Sequence, residues 1–326
     1  MRPIGLNPYG LAYTLGIHAA GTPRANPRPI SLDDYIELAQ RLGCGGIELH
    51  AEHLFNLPEN RLRQMGGAWR DRDWWAVLAR PLLIGQWERT IQVAKLLGAR
   101  TIRIHCTPVL CGDRRPGACD WPALVADARR QLREASRITA DHGLFLAIEN
   151  HQDFCSDELL ELCGSCGRNI GIALDTANPL AVAEDPLDAA RAMAPKIRHV
   201  HFKDYRAHWS DEGYRLVRCP TGEGCIPIKQ IAAIFADRDD VTASIEIGAL
   251  NARHIRLLAA DFWTHHAPRR PDQISKSLSA ARLNCLADHE DWRTPWERDA
   301  PPQAVAAYEL EQVERSVINL RAMGLM

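Results

Sequence analysis

Four apolar runs, each ending in or carrying a residue of metal-binding type, constrain this chain more than any other feature. LFLAIE ends at Glu149, NIGIALD ends at Asp175, RHVHFKD carries His201 and TASIEIG carries Glu246. Runs this rich in branched and aromatic residues are buried on both faces, as parallel strands of α/β proteins are. The four polar residues are 26, 26 and 45 positions apart. A strand, a loop and a returning helix need roughly thirty residues, so the spacing fits consecutive β/α units. The carboxyl ends of such strands share one mouth, where barrel enzymes place their chemistry.

Three carboxylates and an imidazole converging on one point repel each other unless a cation sits among them. The sequence therefore predicts a divalent metal held by Glu149, Asp175, His201 and Glu246. His199 lies on the same face of its strand as His201 by period two, so pattern alone leaves either as the ligand. Lys203 continues that face toward the rim, as a candidate for holding a substrate oxygen. The competing reading is a set of structural salt links, which four such residues at regular intervals argue against.

The chain has 326 residues, and one (β/α)8 barrel takes about 250 with insertions added. The expected fold class is α/β, a TIM barrel with long loops, as one domain over residues 1–326. A net charge of −2 gives no reason to expect a polyanionic partner, so nucleic acid is not expected. No stretch of eighteen apolar residues exists, and MRPIGLNPYG has no charged-then-apolar signal pattern. A soluble, cytoplasmic protein with no membrane partner is the expectation. Ten cysteines in a chain this long read as reduced thiols, several of them buried. Cys163-x-x-Cys166 has no second pair to complete a zinc ribbon.

Taken in order, IGLNPYGLAYTLGI reads as a first strand interrupted at Pro-Tyr-Gly. The Gly- and Pro-dense AAGTPRANPRP then forms a long first loop at the metal rim, from which His18 and Arg24 can reach substrate. Ser31 caps a helix with an acidic first turn, and Gly43 ends it. GGIELH is the second strand, with Glu48 and His50 at its carboxyl end, where both can point into the mouth; Glu48 can instead serve as a structural partner for an Arg or a backbone amide. Residues 51 to about 81 show helical fragments and no clean strand, so the third strand has no evident place. Helical periodicity resumes over Leu82 to Leu97, and the strand RTIRIH ends at His105. A long helix follows over Trp121 to His142, and Ser156 caps a short one. After the last strand comes an insertion at about 249–302 bearing Trp263, Trp292 and Trp296, too aromatic to be disordered. A helix at about 303–323 with an apolar stripe closes the barrel.

Three carboxylate oxygens and one imidazole nitrogen suit Mn2+, Mg2+ or Co2+ better than a structural zinc site. A six-coordinate ion keeps about two positions for a carbonyl and a neighbouring hydroxyl. Such a Lewis acid stabilises the enediolate formed when the adjacent C–H bond breaks. Glu149 and Glu246 can then act as base and acid on opposite faces of the substrate carbon. The mouth also gathers His50 as a candidate substrate-binding residue and His105 at the end of its strand.

The motifs GGIEL, ENH, IALDTAN, HVHFKD, GEG and SIEIG, in this order from about Ser31 to Gly248, resemble the xylose-isomerase-like TIM barrels. That superfamily holds sugar isomerases and epimerases as well as DNA-repair enzymes of the endonuclease IV type. In the epimerases a Glu, Asp, His, Glu set binds Mn2+. The resemblance places that set on Glu149, Asp175, His201 and Glu246 and chooses His201 over His199. It also implies that the two glutamates are acid and base. The epimerases commonly carry a substrate-binding His three residues after the metal Asp; here Asn178 takes that place. The endonucleases need a His there and an Asp-x-His before the Gly-rich turn, where this chain has RLVRCP from Arg215 to Pro220, so DNA repair stands last.

PIGLNPYGLAYTLG, GTPRANP and the Trp-bearing insertion resemble the large subunit of bacterial C-glycoside deglycosidases. This second resemblance implies a lyase acting on 3-oxo-glycosides with aromatic aglycones, a small β-rich partner subunit and an assembly of more than one chain. It also implies an acid/base role for His105 or His151 and stacking of the aglycone on the insertion's aromatics. Lyase and sugar isomerase or epimerase therefore both stand. A non-catalytic sugar-binding or partner subunit is the alternative, and failure to bind Mn2+ would favour it.

Overall fold

In the computed structural model, which describes residues 1–82 and 85–326, eight parallel strands close into a barrel. The chain runs β1 (Gly5–Leu6), α1 (Leu32–Arg41), β2 (Gly46–His50), α2 (Glu59–Asp71), β3 (Trp75–Pro81), α3 (Trp87–Leu97) and β4 (Thr101–His105). It continues through α4 (Trp121–Ala140), β5 (Phe145–Glu149), α5 (Ser156–Cys166), β6 (Ile170–Asp175), α6 (Pro186–Met193) and β7 (Ile197–Phe202). A hairpin, β8 (Tyr205–Ser210) and β9 (Gly213–Arg218), precedes α7 (Ile228–Ile234) and the last barrel strand, β10 (Thr242–Ile245). Then come β11 (Arg253–Ile255), α8 (Pro271–Arg282) and α9 (Pro302–Ala322). β10 pairs in parallel with β7 on one side and β1 on the other, which closes the ring and bears out the (β/α)8 expectation.

The first strand is two residues long because Asn7 ends it. Its Oδ1 accepts from the Tyr9 amide at 2.7 Å, and Pro8–Leu11 winds into a 3-10 turn. α1 begins as expected, with Ser31 and Asp34 exchanging side-chain and backbone bonds in a capping box. The third strand, unplaced by pattern, is β3, seven residues long rather than vestigial. Arg80 disguised it. This side chain is 1% exposed, donates to Thr90 Oγ1 at 2.6 Å and to Gly85 O at 2.5 Å, and lies over the Trp87 ring. A charge inside an apolar run lowers any strand reading, and here local partners satisfy it.

Helix α3 starts at Trp87 rather than at Leu82, after Gln86 in the left-handed region; residues 83 and 84 lie outside the described residues. The cap of α5 is Cys155, one residue before Ser156. Periodicity also missed the hairpin of β8 and β9. β8, β9 and β11 form a separate antiparallel sheet.

The insertion is ordered around its aromatics. The stripe of α9 is only half apolar: Val305, Val313, Val317 and Leu320 alternate with buried Glu309, Gln312 and Ser316. Both Glu309 oxygens are taken by the first loop, from Tyr13 N at 3.1 Å and from Thr14 N and Oγ1 at 2.8 Å. All ten cysteines are free thiols, and Cys163 and Cys166 sit in the core rather than at a metal or redox site. No described helix is long and apolar enough to cross a membrane.

Candidate metal centre

The four strand ends meet. Glu149 Oε1 and Glu246 Oε2 stand 3.6 and 2.9 Å from His201 Nδ1. Ligand atoms of Glu149, Asp175, His201 and Glu246 all lie within 4.8 Å of one another, and all four residues are buried. Register explains the convergence, since Asp175 and Ser244 flank His201 on adjacent strands. Asn150 locks β5 to β6: Nδ2 donates to Asp175 O at 2.9 Å and Oδ1 accepts from Asp175 N at 2.6 Å. Amides of Ala177 and Asn178 hold Asp175 Oδ1 at 3.0 and 3.1 Å. That leaves Asp175 Oδ2 for the centre.

Glu48 lies beneath the centre, 0% exposed. Its Oε2 takes His201 Nε2 at 2.9 Å, His199 Nε2 at 3.1 Å and Asn7 Nδ2 at 2.8 Å, while Oε1 takes Arg103 Nε at 3.0 Å. The structural role considered for Glu48 is the one it has, and the expectation that it points into the mouth is corrected. A carboxylate on one ring nitrogen fixes an imidazole so that the other faces a metal. His199 sits one layer deeper, with Nδ1 2.7 Å from Thr242 Oγ1.

Two cations belong to the centre, and one was missed. Arg103 bridges Glu48 and Glu149, with Nη1 3.2 Å from Glu149 Oε2. It shares the inward face of β4 with His105, two residues on, and that alternation was its available signal. Lys203 Nζ contacts Asp175 and lies 2.5 Å from Glu246 Oε1. Repulsion among the carboxylates does not by itself demand an added cation, because the chain brings two of its own. Four buried carboxylates against Arg103 and Lys203 leave two negative charges; against the pull of burial, Glu246 and Glu48 keep His201 protonated to meet one of them, and a divalent ion bound to the neutral imidazole balances both. Asp175 registers the excess: burial and then the carboxylates of Glu246 and Glu149 outweigh Lys203 and push its acid up to about 6. Burial would also raise Glu246, but His201 and Lys203 hold it down at about 2. Asp175 Oδ2 and His201 Nδ1 make no hydrogen bond despite charged neighbours. Unsatisfied buried atoms on a hard-to-borderline donor set fit a divalent ion.

A small open cavity of about 100 Å3 reaches this centre. His50, His105, His151, Asn178 and Lys203, all proposed from sequence, line it. Burial holds His50 down at about 4 and His105 at about 3, and it lowers His151, so all three imidazoles are neutral near pH 7. The His105 and His151 rings stack at 5.1 Å. Asn178 Oδ1 accepts from Gln152 at 3.1 Å, while its Nδ2 has no partner. Tyr9, Gln152, Tyr205 and Arg253 also line the cavity and were not foreseen.

Other expectations are corrected. Arg24 lies 3.6 Å over the Trp296 ring and pairs with Asp299, and His18 meets the edge of the same ring, so neither lines the cavity. The insertion's tryptophans are elsewhere too: Trp263 packs on Phe262 and His266, and Trp292 lies near His208 and Arg215.

The ammonium of Lys203 gives a direct check on the charge balance. Lys203→Met should lower the melting temperature of the metal-free protein by several degrees and enlarge the rise produced by added Mn2+. Calorimetry with and without the ion reads both. Identical melting in the two proteins would show that the ammonium offsets nothing.

A closed parallel barrel with carboxylates and an imidazole gathered at its carboxyl rim defines a (β/α)8 protein with a metal-capable centre. The chain belongs to the xylose isomerase-like TIM barrel family, whose model matches residues 36–262. A segment of 161 residues is 30% identical to the uncharacterized protein YihM of Escherichia coli (strain K12), covering 48% of this chain and 47% of that one. The chain thus spans about half the length of this curated relative. Among solved structures it resembles a D-psicose 3-epimerase determined in the presence of D-fructose, with TM-score 0.57 and 16% identity over 98% of this chain and 99% of that one. It also resembles a xylose isomerase-like TIM barrel protein from Mycobacterium smegmatis in complex with magnesium, with TM-score 0.55 and 16% identity over 86% and 98% of the two chains. At these identities the likeness is one of fold.

Proposed function

We propose that this chain is a divalent-metal-dependent enzyme that moves a proton at the carbon beside the carbonyl of a keto-sugar, as a sugar isomerase or epimerase. The observation that carries this reading is the convergence of buried Glu149, Asp175, His201 and Glu246 on one point, where four carboxylates including Glu48 face only two permanent cations, Arg103 and Lys203. Glu149, Asp175, His201 and Glu246 would hold Mn2+, with Mg2+ or Co2+ as substitutes; the Mycobacterium smegmatis neighbour is a magnesium complex. When bound, the ion supplies Lewis-acid polarisation of the substrate carbonyl.

The chain's own groups then do the proton work. Glu149 at the end of β5 and Glu246 just past β10 both reach His201 of β7, so one can take the proton from one face of the carbon and the other can return it to the opposite face. That inverts the carbon. His50, Asn178 and Lys203 are donors and acceptors at the cavity wall that can hold the sugar hydroxyls.

The stacked His105–His151 pair favours a second reading, the lyase acting on a 3-oxo-glycoside. There the C2 proton leaves to an imidazole, the C1–aglycone bond breaks with its electron pair, and the same imidazole returns the proton to the aglycone carbon. A small β-rich partner subunit goes with this reading. It stands second, because no tryptophan of the insertion lines the cavity as an aglycone platform.

Incubation of the Mn2+-loaded protein in D2O with free ketohexoses, followed by NMR, tests both. Metal-dependent deuterium at the carbon beside the carbonyl is the expected result. Release of free aglycone from a C-linked aromatic 3-oxo-glucoside, without exchange into any ketohexose, would replace the first reading by the second.

A further inference from the structure

Every cation at the cavity but one has a carboxylate. Arg103 is paired with Glu48 and Glu149, and Lys203 with Asp175 and Glu246. Arg253, at the start of β11, lines the same cavity, and no carboxylate lies within ion-pair distance of it among the described residues. Its one side-chain bond is from Nη2 to Tyr9 Oη at 3.3 Å, a long contact to a neutral group. Antiparallel pairing of β11 with β9, Arg253 opposite Leu216, fixes the residue's place. A guanidinium removed from much of its water and left without a counter-charge is costly. It matches an oxyanion through two parallel N–H bonds.

The cavity has a second idle donor. Asn178 Nδ2 is buried and unpartnered, its oxygen being engaged by Gln152. Tyr9 links the two ends of the space: its hydroxyl meets Arg253, and its ring lies 5.8 Å from Lys203 Nζ at the metal-capable centre. Arg253 therefore stands across Tyr9 from the carboxylates, at a distance from the reacting carbon.

We infer that the substrate is an acidic keto-sugar, bearing a carboxylate or phosphate remote from its carbonyl, and that Arg253 is the residue that selects it. The inference rests on the keto-sugar reading of the site and adds the charge of the molecule. A neutral ketose would leave Arg253 unpaired and gain nothing from it. An oxyanion on the terminal carbon would meet the guanidinium while the carbonyl end faced Glu149 and Glu246.

Calorimetric titration of the Mn2+-loaded protein with D-fructose, D-fructose 6-phosphate and D-fructuronate tests this, with deuterium exchange measured on the same three compounds. At least one anionic ketose should bind about tenfold or more tighter than D-fructose, as expected for a charge-assisted bond. Whichever does so distinguishes phosphate from carboxylate. Arg253→Gln should bring the anionic and neutral ligands to within about twofold of each other, while Arg253→Lys, which keeps the charge, should retain part of the preference. Equal binding of D-fructose and both anions by the wild type, or a preference that survives Arg253→Gln, overturns the inference. Failure of both anions to bind overturns it as well. An anion preference in binding without exchange into any of the three supports the role of Arg253 and sinks the proton-transfer reading instead.

Discussion

A Glu246→Gln protein should fold, bind substrate and lose deuterium exchange into a ketohexose by a factor of about 100 to 10,000, the usual worth of a positioned acid or base. The substitution suits its surroundings. Glutamine keeps the shape; its carbonyl can accept from Lys203 Nζ where Glu246 Oε1 now does, and its amide can donate to His201 Nδ1. Neither neighbour is left without a partner, so the fold should survive with a melting temperature within a few degrees of wild type. The variant loses only the ability to carry a proton and one unit of negative charge at the centre. Manganese content, measured in the same samples, separates the two consequences. Lost exchange with the ion retained assigns Glu246 to proton transfer; lost exchange together with lost ion assigns it to holding the metal. Undiminished exchange would remove Glu246 from the mechanism.

Arg103→Met should be the most destabilising single change at the centre, by about 3–5 kcal/mol, the cost of breaking a buried ion pair from one side. Methionine fills most of the volume, so a cavity contributes little. What remains is Glu48, without the guanidinium at 3.0 Å, and Glu149, without the one at 3.2 Å. Urea titrations of the two proteins give the difference. The pH dependence should change as well. Burial would raise Glu48, but His201 and Arg103 hold its acid well below the usual carboxylate range, so in the wild type this group stabilises above about pH 4 and stops doing so on acidification. Without Arg103 that lowering shrinks, and the wild-type advantage should narrow as the pH falls. Adding Glu48→Gln to Arg103→Met should recover much of the loss, since the two residues share one interaction. Wild-type stability in the single variant would mean that the pair contributes nothing net.

The metal-capable quartet was legible because each member closes an apolar strand, where the barrel leaves only one direction for a polar side chain to face. The choice between His199 and His201 was not legible from pattern, since both lie on one face and only depth in the barrel separates them. Arg103 and Arg80 were lost for a shared reason: each is a charge inside a buried strand, stabilised by partners distant in sequence or in a loop that periodicity does not read. Arg80 concealed a whole strand in this way. The tryptophans of the insertion misled in the opposite sense. Aromatic content correctly signalled order, but order came from packing on the first loop and the small sheet rather than around the cavity. Arg253 was invisible because its significance is the absence of a carboxylate beside it among the described residues, which only three-dimensional placement reveals.

The carboxylate of Glu309, fastened to the amides of Tyr13 and Thr14, couples the order of synthesis to the order of folding. The loop that carries Tyr9 toward the cavity leaves the ribosome well ahead of the group that completes its hydrogen bonds, which is nearly three hundred residues behind. Until α9 arrives, those amides have only water or a chaperone to turn to. The barrel can close strand by strand as it emerges, while one wall of its pocket stays unset until α9 has been made.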